Sequence, residues 1–229
     1  MAIFKAYDIR GIYGKEFGEE EAYRIGYFLP RLLKTDKVLV GRDTRLSSHE
    51  IFSSLSRGIM DAGADVYDLG LCTTPYVYFA TVRYGFDASV QITASHNAKE
   101  YNGFKISKTG ALPVGGDTGL RDLEEMVLNR EVVVQKKCGK IFDFGDKKED
   151  YIAFFKEHFP DRSNLKIAVD CSNGMASLFI KELLGDQTIY LYDHLDGSFP
   201  NHEPNPLLEE NTEDLKKAVL QHRCDIGII

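Results

Sequence analysis

The sequence predicts an α/β fold: two similar domains, each a mostly parallel mixed sheet flanked by helices. Three observations carry the prediction. Short apolar runs of strand length alternate with segments whose apolar residues recur at helical spacing. Several of the runs stop abruptly in polar or charged residues. The order strand, loop, helix, strand, helix, strand also occurs twice along the 229 residues.

The elements follow in chain order. KVLVGRD (37–43) is a short apolar run ending in charge. Ser47 and Glu50 stand three apart, as a capping box requires, and open a helix. Its apolar face is Ile51, Phe52, Leu55, Ile59 and Met60. ADVYDLGL (64–71) reads as a second strand. Pro75 opens a helix that runs to about Tyr84. ASVQI (88–92) is the third strand. The polar stretch 132–151 holds the boundary, placed near residue 142, which gives domains of 1–142 and 143–229. A helix over 147–159 starts the second half. LKIAVDCSNG (165–174) is then strand and loop, and Met175, Leu178, Phe179, Leu183 and Leu184 form one helical apolar face. TIYLYD (188–193) is a strand, Asn211 caps a helix carrying Leu215, Ala218 and Val219, and CDIGII (224–229) is the last strand.

Composition narrows the function. A hydrophobic content of 43% suffices for packed cores. The formal charge of −7 argues against a general nucleic-acid binder, which needs concentrated Lys and Arg. It leaves room for a local basic pocket that takes a small phosphorylated ligand. Cys72, Cys138, Cys171 and Cys224 form no CxxC pair and no zinc spacing with histidine, so they read as reduced, mostly core thiols. Met1-Ala2-Ile3-Phe4 leads at once into charged residues, unlike a signal peptide. No apolar run approaches the roughly 20 residues that span a membrane. The expectation is a cytoplasmic chain with no membrane partner.

The chemistry concentrates in QITASHNAKEYNGFKIS (91–107). A buried-looking strand delivers Thr93-Ala94-Ser95-His96-Asn97 to its end, and Lys105 lies in the apolar segment that resumes. A hairpin-like loop would return Lys105 to the neighbourhood of Ser95. The glycines of a lipase-type elbow are absent, with Thr93 and Asn97 in their places. Neighbours on an extended strand point to opposite faces, so His96 is badly placed as a base for Ser95. A phosphoryl-carrying serine fits better. Phosphoserine brings roughly −1.5 to −2 charges and three acceptor oxygens, and needs cations around it. Arg10 in AYDIRGIYG (6–14), and Arg42 and Arg45 after the first strand, sit at carboxyl-end positions where open α/β sheets bind ligands. Each arginine alone reads as solvated surface; the set reads as a phosphate edge.

These pieces resemble the α-D-phosphohexomutase family, in its phosphomannomutase/phosphoglucomutase branch. FKAYDIRGIYG (4–14), VGRDTRLSS (40–48), TASHNAKEYNGFKIS (93–107), VDCSNGMAS (169–177) and DGSFPNHEPNPLLEEN (196–211) occur in family order and span nearly the whole chain. Ala98 departs from the family's usual proline, which would stiffen the loop. The resemblance implies that Ser95 carries the phosphoryl group and gives one oxygen to Mg²⁺. It implies that Lys105 and Arg10 stabilise charge at the transferring group. Tyr7 then shapes the loop that carries Arg10, His96 orients the Ser95 loop and Asn97 shapes its turn, all three as substrate- and phosphate-binding residues. Asp8 and Asp43 read as loop-stabilising carboxylates. Asp170, Ser172 and Asn173 read as structural, and the stretch around Pro204 and Pro206 as a rigid connection without a catalytic role. The implied substrate is a phosphorylated hexose, with glucose 1,6-bisphosphate as activator. Family members are about twice as long, and the resemblance places the chain's end just before their metal-binding loop. The expectation is therefore a half that folds but does not turn over alone and associates through its last strand. The alternatives are a non-catalytic phosphate-binding module and one half of a split mutase.

Overall fold

The computed structural model describes residues 3–145, 147–162 and 164–229. Met1 and Ala2, which entered the reading of the amino terminus, lie outside them. The chain divides into two compact units, Met1–Ala94 with Glu100–Asp146, and Ser95–Lys99 with Lys147–Ile229.

The first unit runs β1 (Ile9–Ile12), α1 (Glu19–Leu33), β2 (Lys37–Arg42), α2 (Ser48–Asp61), β3 (Asp65–Leu71), α3 (Thr74–Arg83), β4 (Ala88–Ile92), β5 (Tyr101–Lys108), β6 (Leu112–Pro113), α4 (Leu120–Asn129) and β7 (Ile141–Asp143). Its sheet has the order β1-β5-β4-β2-β3-β7, with β6 beside β5. Strands β4, β2, β3 and β7 are parallel, while β1, β5 and β4 pair antiparallel. The sheet is mixed because β4 turns straight back into β5 without a crossover helix. Side-chain alternation assigns the two faces. Val38, Val40, Val90 and Ile92 join Ile25, Leu29, Ile51, Leu55 and Ile59 of α1 and α2 in one buried cluster. The alternate positions meet α3, where Thr81 Oγ1 donates to Ser89 Oγ at 2.7 Å. With both faces covered, β4 is buried at every residue and carries no alternation, as its continuous run suggested.

The expected capping box of α2 does not form. Ser47 precedes the helix with helical backbone angles and makes no side-chain cap. Its hydroxyl instead accepts from Asn102 Nδ2 at 2.9 Å, and Glu50 hydrogen-bonds Tyr13, whose pKa is raised by burial first and by Glu50 next. Tertiary partners have taken both side chains. Pro75 does open α3, capped by the Thr73 hydroxyl.

The second unit holds α5 (Lys148–His158), β8 (Ile167–Asp170), α6 (Ile180–Leu184), β9 (Ile189–Leu191), α7 (Glu213–His222) and β10 (Ile226–Ile228). Its parallel sheet has the order β10-β8-β9. The single helix expected from Met175 to Leu184 is broken: a 3-10 turn covers Met175–Leu178, and α6 starts only at Ile180. Asn211 does not cap α7. It is buried in the preceding 3-10 turn, where its Nδ2 donates to the Asn205 carbonyl at 2.9 Å, and Thr212 takes the cap position. Two of the cysteines, Cys72 and Cys171, are buried thiols, whereas Cys138 is exposed and Cys224 half-buried. The expectation of mostly core thiols therefore holds for only half of them. Among the described residues no helix is long and apolar enough to cross a membrane.

Candidate functional site

The β4–β5 hairpin builds the first part of the site. Gln91 pairs with Lys105 and Ile92 with Phe104, and the Thr93 N–H donates to the Gly103 carbonyl at 3.0 Å. Lys105 therefore stands at the end of β4 from which Ser95 emerges. On the other side of β5, Arg10 of β1 pairs with Gly103. A Cβ at position 103 would lie 1.9 Å from the Ile9 carbonyl oxygen, so only glycine lets β1 come this close.

Asp8 joins the two cations. Its Oδ2 accepts from Arg10 Nη2 and, at 3.4 Å, from Lys105 Nζ. Tyr7, in the same loop, projects into solvent and is 82% exposed. The spacing of Asp8 and Arg10 gave no sign of the bridge, because Lys105 is brought there only by the hairpin.

Arg42 and Arg45 are committed elsewhere. Arg42 Nη1 donates to Asp68 Oδ1 at 2.6 Å and its guanidinium lies 4.3 Å from the Phe52 ring centre. The Arg45 side chain is fully buried; it pairs with Asp43 at 3.2 Å and donates to the Tyr101 carbonyl at 3.0 Å. Burial lowers the Arg45 pKa, Asp43 opposes this, and nearby Arg10 lowers it further. Asp43 also accepts from the Arg45 N–H at 3.1 Å and from the Ser48 hydroxyl at 2.6 Å, the loop-stabilising role expected of it. Each of the four cations thus has a carboxylate partner: Arg42 and Arg45 have their own, and Arg10 and Lys105 share Asp8. Asn102, passed over in the sequence, locks β5 to this loop through Ser47 and Ser48 at 2.9 and 3.0 Å. Its place in an Asn-Gly pair at a strand entrance was the available signal.

Ser95, His96 and Asn97 belong to the Ser95–Lys99 segment that groups with the second unit. Ser95 and His96 are exposed, and Asn97 is half-buried. Ser95 has a φ of 58°, in the left-handed region. The segment is a turn, so the argument from strand alternation fails: the Ser95 hydroxyl lies 3.4 Å from His96 Nδ1. That separation is at the limit of a hydrogen bond and makes a weak general-base pair.

In the second unit the carboxyl end of β8 carries a polar network. His202 Nε2 lies 3.0 Å from Asp170 Oδ2, and Asn201 Nδ2 donates to Asn173 Oδ1 at 2.7 Å. The NHEPN stretch is thereby stapled to the strand end. The sequence reading treated it as a stiff connector and missed the staples.

Phosphohexomutases generally use Mg²⁺. The described residues do not fit such a site. No three His, Cys, Asp or Glu side chains among them gather as metal ligands. Asp8 and Asp43 are held by cations and hydrogen-bond donors instead.

Fold and motifs coincide with known proteins along the whole chain. The family model for phosphoglucomutase/phosphomannomutase α/β/α domain I matches residues 1–131, and that for domain II matches 149–229. The chain belongs to the phosphoglucomutase/phosphomannomutase family. A phosphomannomutase of Escherichia coli is 40% identical over 240 residues, covering all of this chain and 53% of the relative. One from Methanocaldococcus jannaschii is 36% identical over 235 residues, again covering this whole chain and 51% of the relative. A solved family protein from Burkholderia thailandensis superposes with a TM-score of 0.89 at 32% identity, over 99% of this chain and 51% of its own. The chain thus spans about half the length of the curated relatives it matches.

Proposed function

We propose that this chain supplies the phosphoryl-carrying serine of a phosphohexomutase, an isomerase that interconverts hexose 1-phosphate and hexose 6-phosphate. The Ser95 hydroxyl attacks a phosphorus of a hexose 1,6-bisphosphate. The bond from that phosphorus to the sugar oxygen breaks, and the sugar oxygen takes up the proton that serine gives up. Phosphoserine and a hexose monophosphate result. The reverse step onto the other hydroxyl of a hexose monophosphate completes the isomerisation. Because the moving group is loose and highly charged, the protein contributes positioning and charge. Lys105 and Arg10 supply the cations, while Tyr7, His96 and Asn97 bind substrate and phosphate, His96 orienting the Ser95 loop and Asn97 its turn.

The observation that supports this reading best is the pairing of Gln91 with Lys105. It puts an ammonium group at the strand end that leads into Ser95, with Arg10 joined to it through Asp8. The test is intact mass with site mapping, before and after incubation with glucose 1,6-bisphosphate and Mg²⁺. The expected result is one added phosphoryl group, mapped to Ser95 and absent from Ser95→Ala. Lys105→Ala slows its uptake by about 10²-fold, the usual loss on removing one charge-stabilising donor. No transfer, or transfer to a different residue, overturns the reading.

A further inference from the structure

We propose that Asp8 is a positioning residue: its carboxylate gathers the Arg10 guanidinium and the Lys105 ammonium into a single paired cation suited to a phosphoryl dianion. The purpose of the pair rests on the phosphoryl-transfer reading; its existence rests on geometry. One oxygen, Asp8 Oδ2, serves both cations, which come from two different strands, β1 and β5. The side chains of Asp8, Arg10 and Lys105 are 12%, 21% and 28% exposed, so the cluster is partly desolvated yet open to a ligand. Two like charges this near each other repel, and an interposed carboxylate lets them share one place.

The obvious competing role is to anchor the loop that contains Asp8. Main-chain bonds already do that. The Lys5 N–H donates to the Asp8 carbonyl at 2.8 Å, Arg10 N–H to the Ile3 carbonyl at 2.8 Å, and Gly116 N–H to the Ala6 carbonyl at 2.9 Å. Phe4 and Ile9 close the loop as an antiparallel bridge. Asp43 provides the contrast: it pairs with one cation, Arg45, and the rest of its carboxylate accepts from the Arg45 N–H and from the Ser48 hydroxyl at the start of α2. The Asp8 carboxylate instead binds side-chain cations from separate strands. Arg45, also near Arg10, is buried and held by Asp43, so Asp8 is not needed to neutralise it and is shared by Arg10 and Lys105.

The arrangement separates binding from transfer. Removing the Asp8 charge makes the pocket more attractive to an anion in its ground state. It also frees the two cations to move, and stabilisation that depends on fixed geometry in the transition state is lost.

The test compares the full chain with Asp8→Asn and Asp8→Glu. Side-chain NMR reads the Arg10 guanidinium and the Lys105 ammonium, assigned with Arg10→Lys and Lys105→Arg. The expected result is slowed guanidinium rotation and a protected ammonium signal in the wild type. Both are lost together in Asp8→Asn and partly restored in Asp8→Glu, with Tm within about 2 °C of wild type. Asp8→Asn also binds inorganic phosphate about threefold more tightly, and takes up the phosphoryl group of glucose 1,6-bisphosphate at least ~tenfold more slowly. Unchanged Arg10 and Lys105 signals in Asp8→Asn overturn the proposal. So does weaker phosphate binding accompanied by a large drop in Tm, the mark of a loop anchor. A wild type that takes up no phosphoryl group defeats the functional reading, and the NMR comparison still decides whether Asp8 pairs the cations.

Discussion

Ser95 holds a left-handed backbone conformation that side chains other than glycine adopt at a cost. Strain of this kind, at the residue proposed to carry the phosphoryl group, implies a trade of stability for placement. Ser95→Gly and Ser95→Ala both delete the hydroxyl, but only glycine relieves the backbone. Urea unfolding is expected to find Ser95→Gly more stable than Ser95→Ala by about 1 kcal/mol. Equal stabilities would mean that the turn is not strained at this position. A second residue-scale prediction concerns Cys171. Burial raises its pKa from 9.0 to about 11, so the folded state favours the neutral thiol. The corresponding stability is fully present below pH 9 and is lost as pH rises from 9 to about 11. Cys171→Ala is expected to flatten the fall in stability across that window. At pH 9, iodoacetamide is expected to label exposed Cys138 well before Cys171; equal labelling rates would contradict the burial argument.

The loop that follows β2 shows what an element needs in order to present charge safely. Its Arg45 is buried, and Asp43 neutralises it while capping the turn into α2 through Ser48. Asp43→Ala would leave a buried guanidinium without its carboxylate, at an expected cost of about 3–5 kcal/mol in chemical denaturation. A loss below about 1 kcal/mol would show that water or another group replaces the carboxylate. The same loop bonds Asn102, so β5 and its Lys105 depend on it. Asp43→Ala is therefore expected to lower the protection of β5 amides from hydrogen exchange before it affects β7, at the far edge of the sheet.

The two units differ in how much core they own. The first has a buried cluster that spans α1, α2, α4 and most of a sheet, whereas the second has a smaller cluster of Ile167, Val169 and Cys171, with Tyr151, Ile152, Phe179 and Leu215 also buried. Strand β10 lies at an edge of the second sheet, with Ile226, Ile228 and Ile229 exposed. An exposed apolar edge strand is a template for pairing with another chain. Sedimentation is expected to show concentration-dependent self-association that Ile228→Lys suppresses. A single monomeric species at every concentration would refute this.

The α/β class and strands β2, β3, β4, β8, β9 and β10 were legible in the sequence, whereas β1, β5, β6 and β7 and helices α1 and α4 were not assigned from it. The legible features depend on local pattern: apolar runs such as 88–92, a proline at the start of α3, and a polar cluster at a strand end. Each of these acts over a few neighbouring residues. The readings that went astray needed information from distant segments. Ser47 and Glu50 have capping-box spacing, but Asn102 and Tyr13 claim their side chains. Arg42 and Arg45 look like Arg10 in sequence, yet Asp68 and Asp43 hold them. The left-handed turn at Ser95 contradicts the extended conformation that alternation assumed. By itself, the sequence determined which chemical groups the chain carries and which of the apolar runs become buried strands such as β2, β4 and β8, because those preferences are local. Only the tertiary structure decided which carboxylate each cation meets, because that depends on where β1 and β5 bring Asp8, Arg10 and Lys105 together.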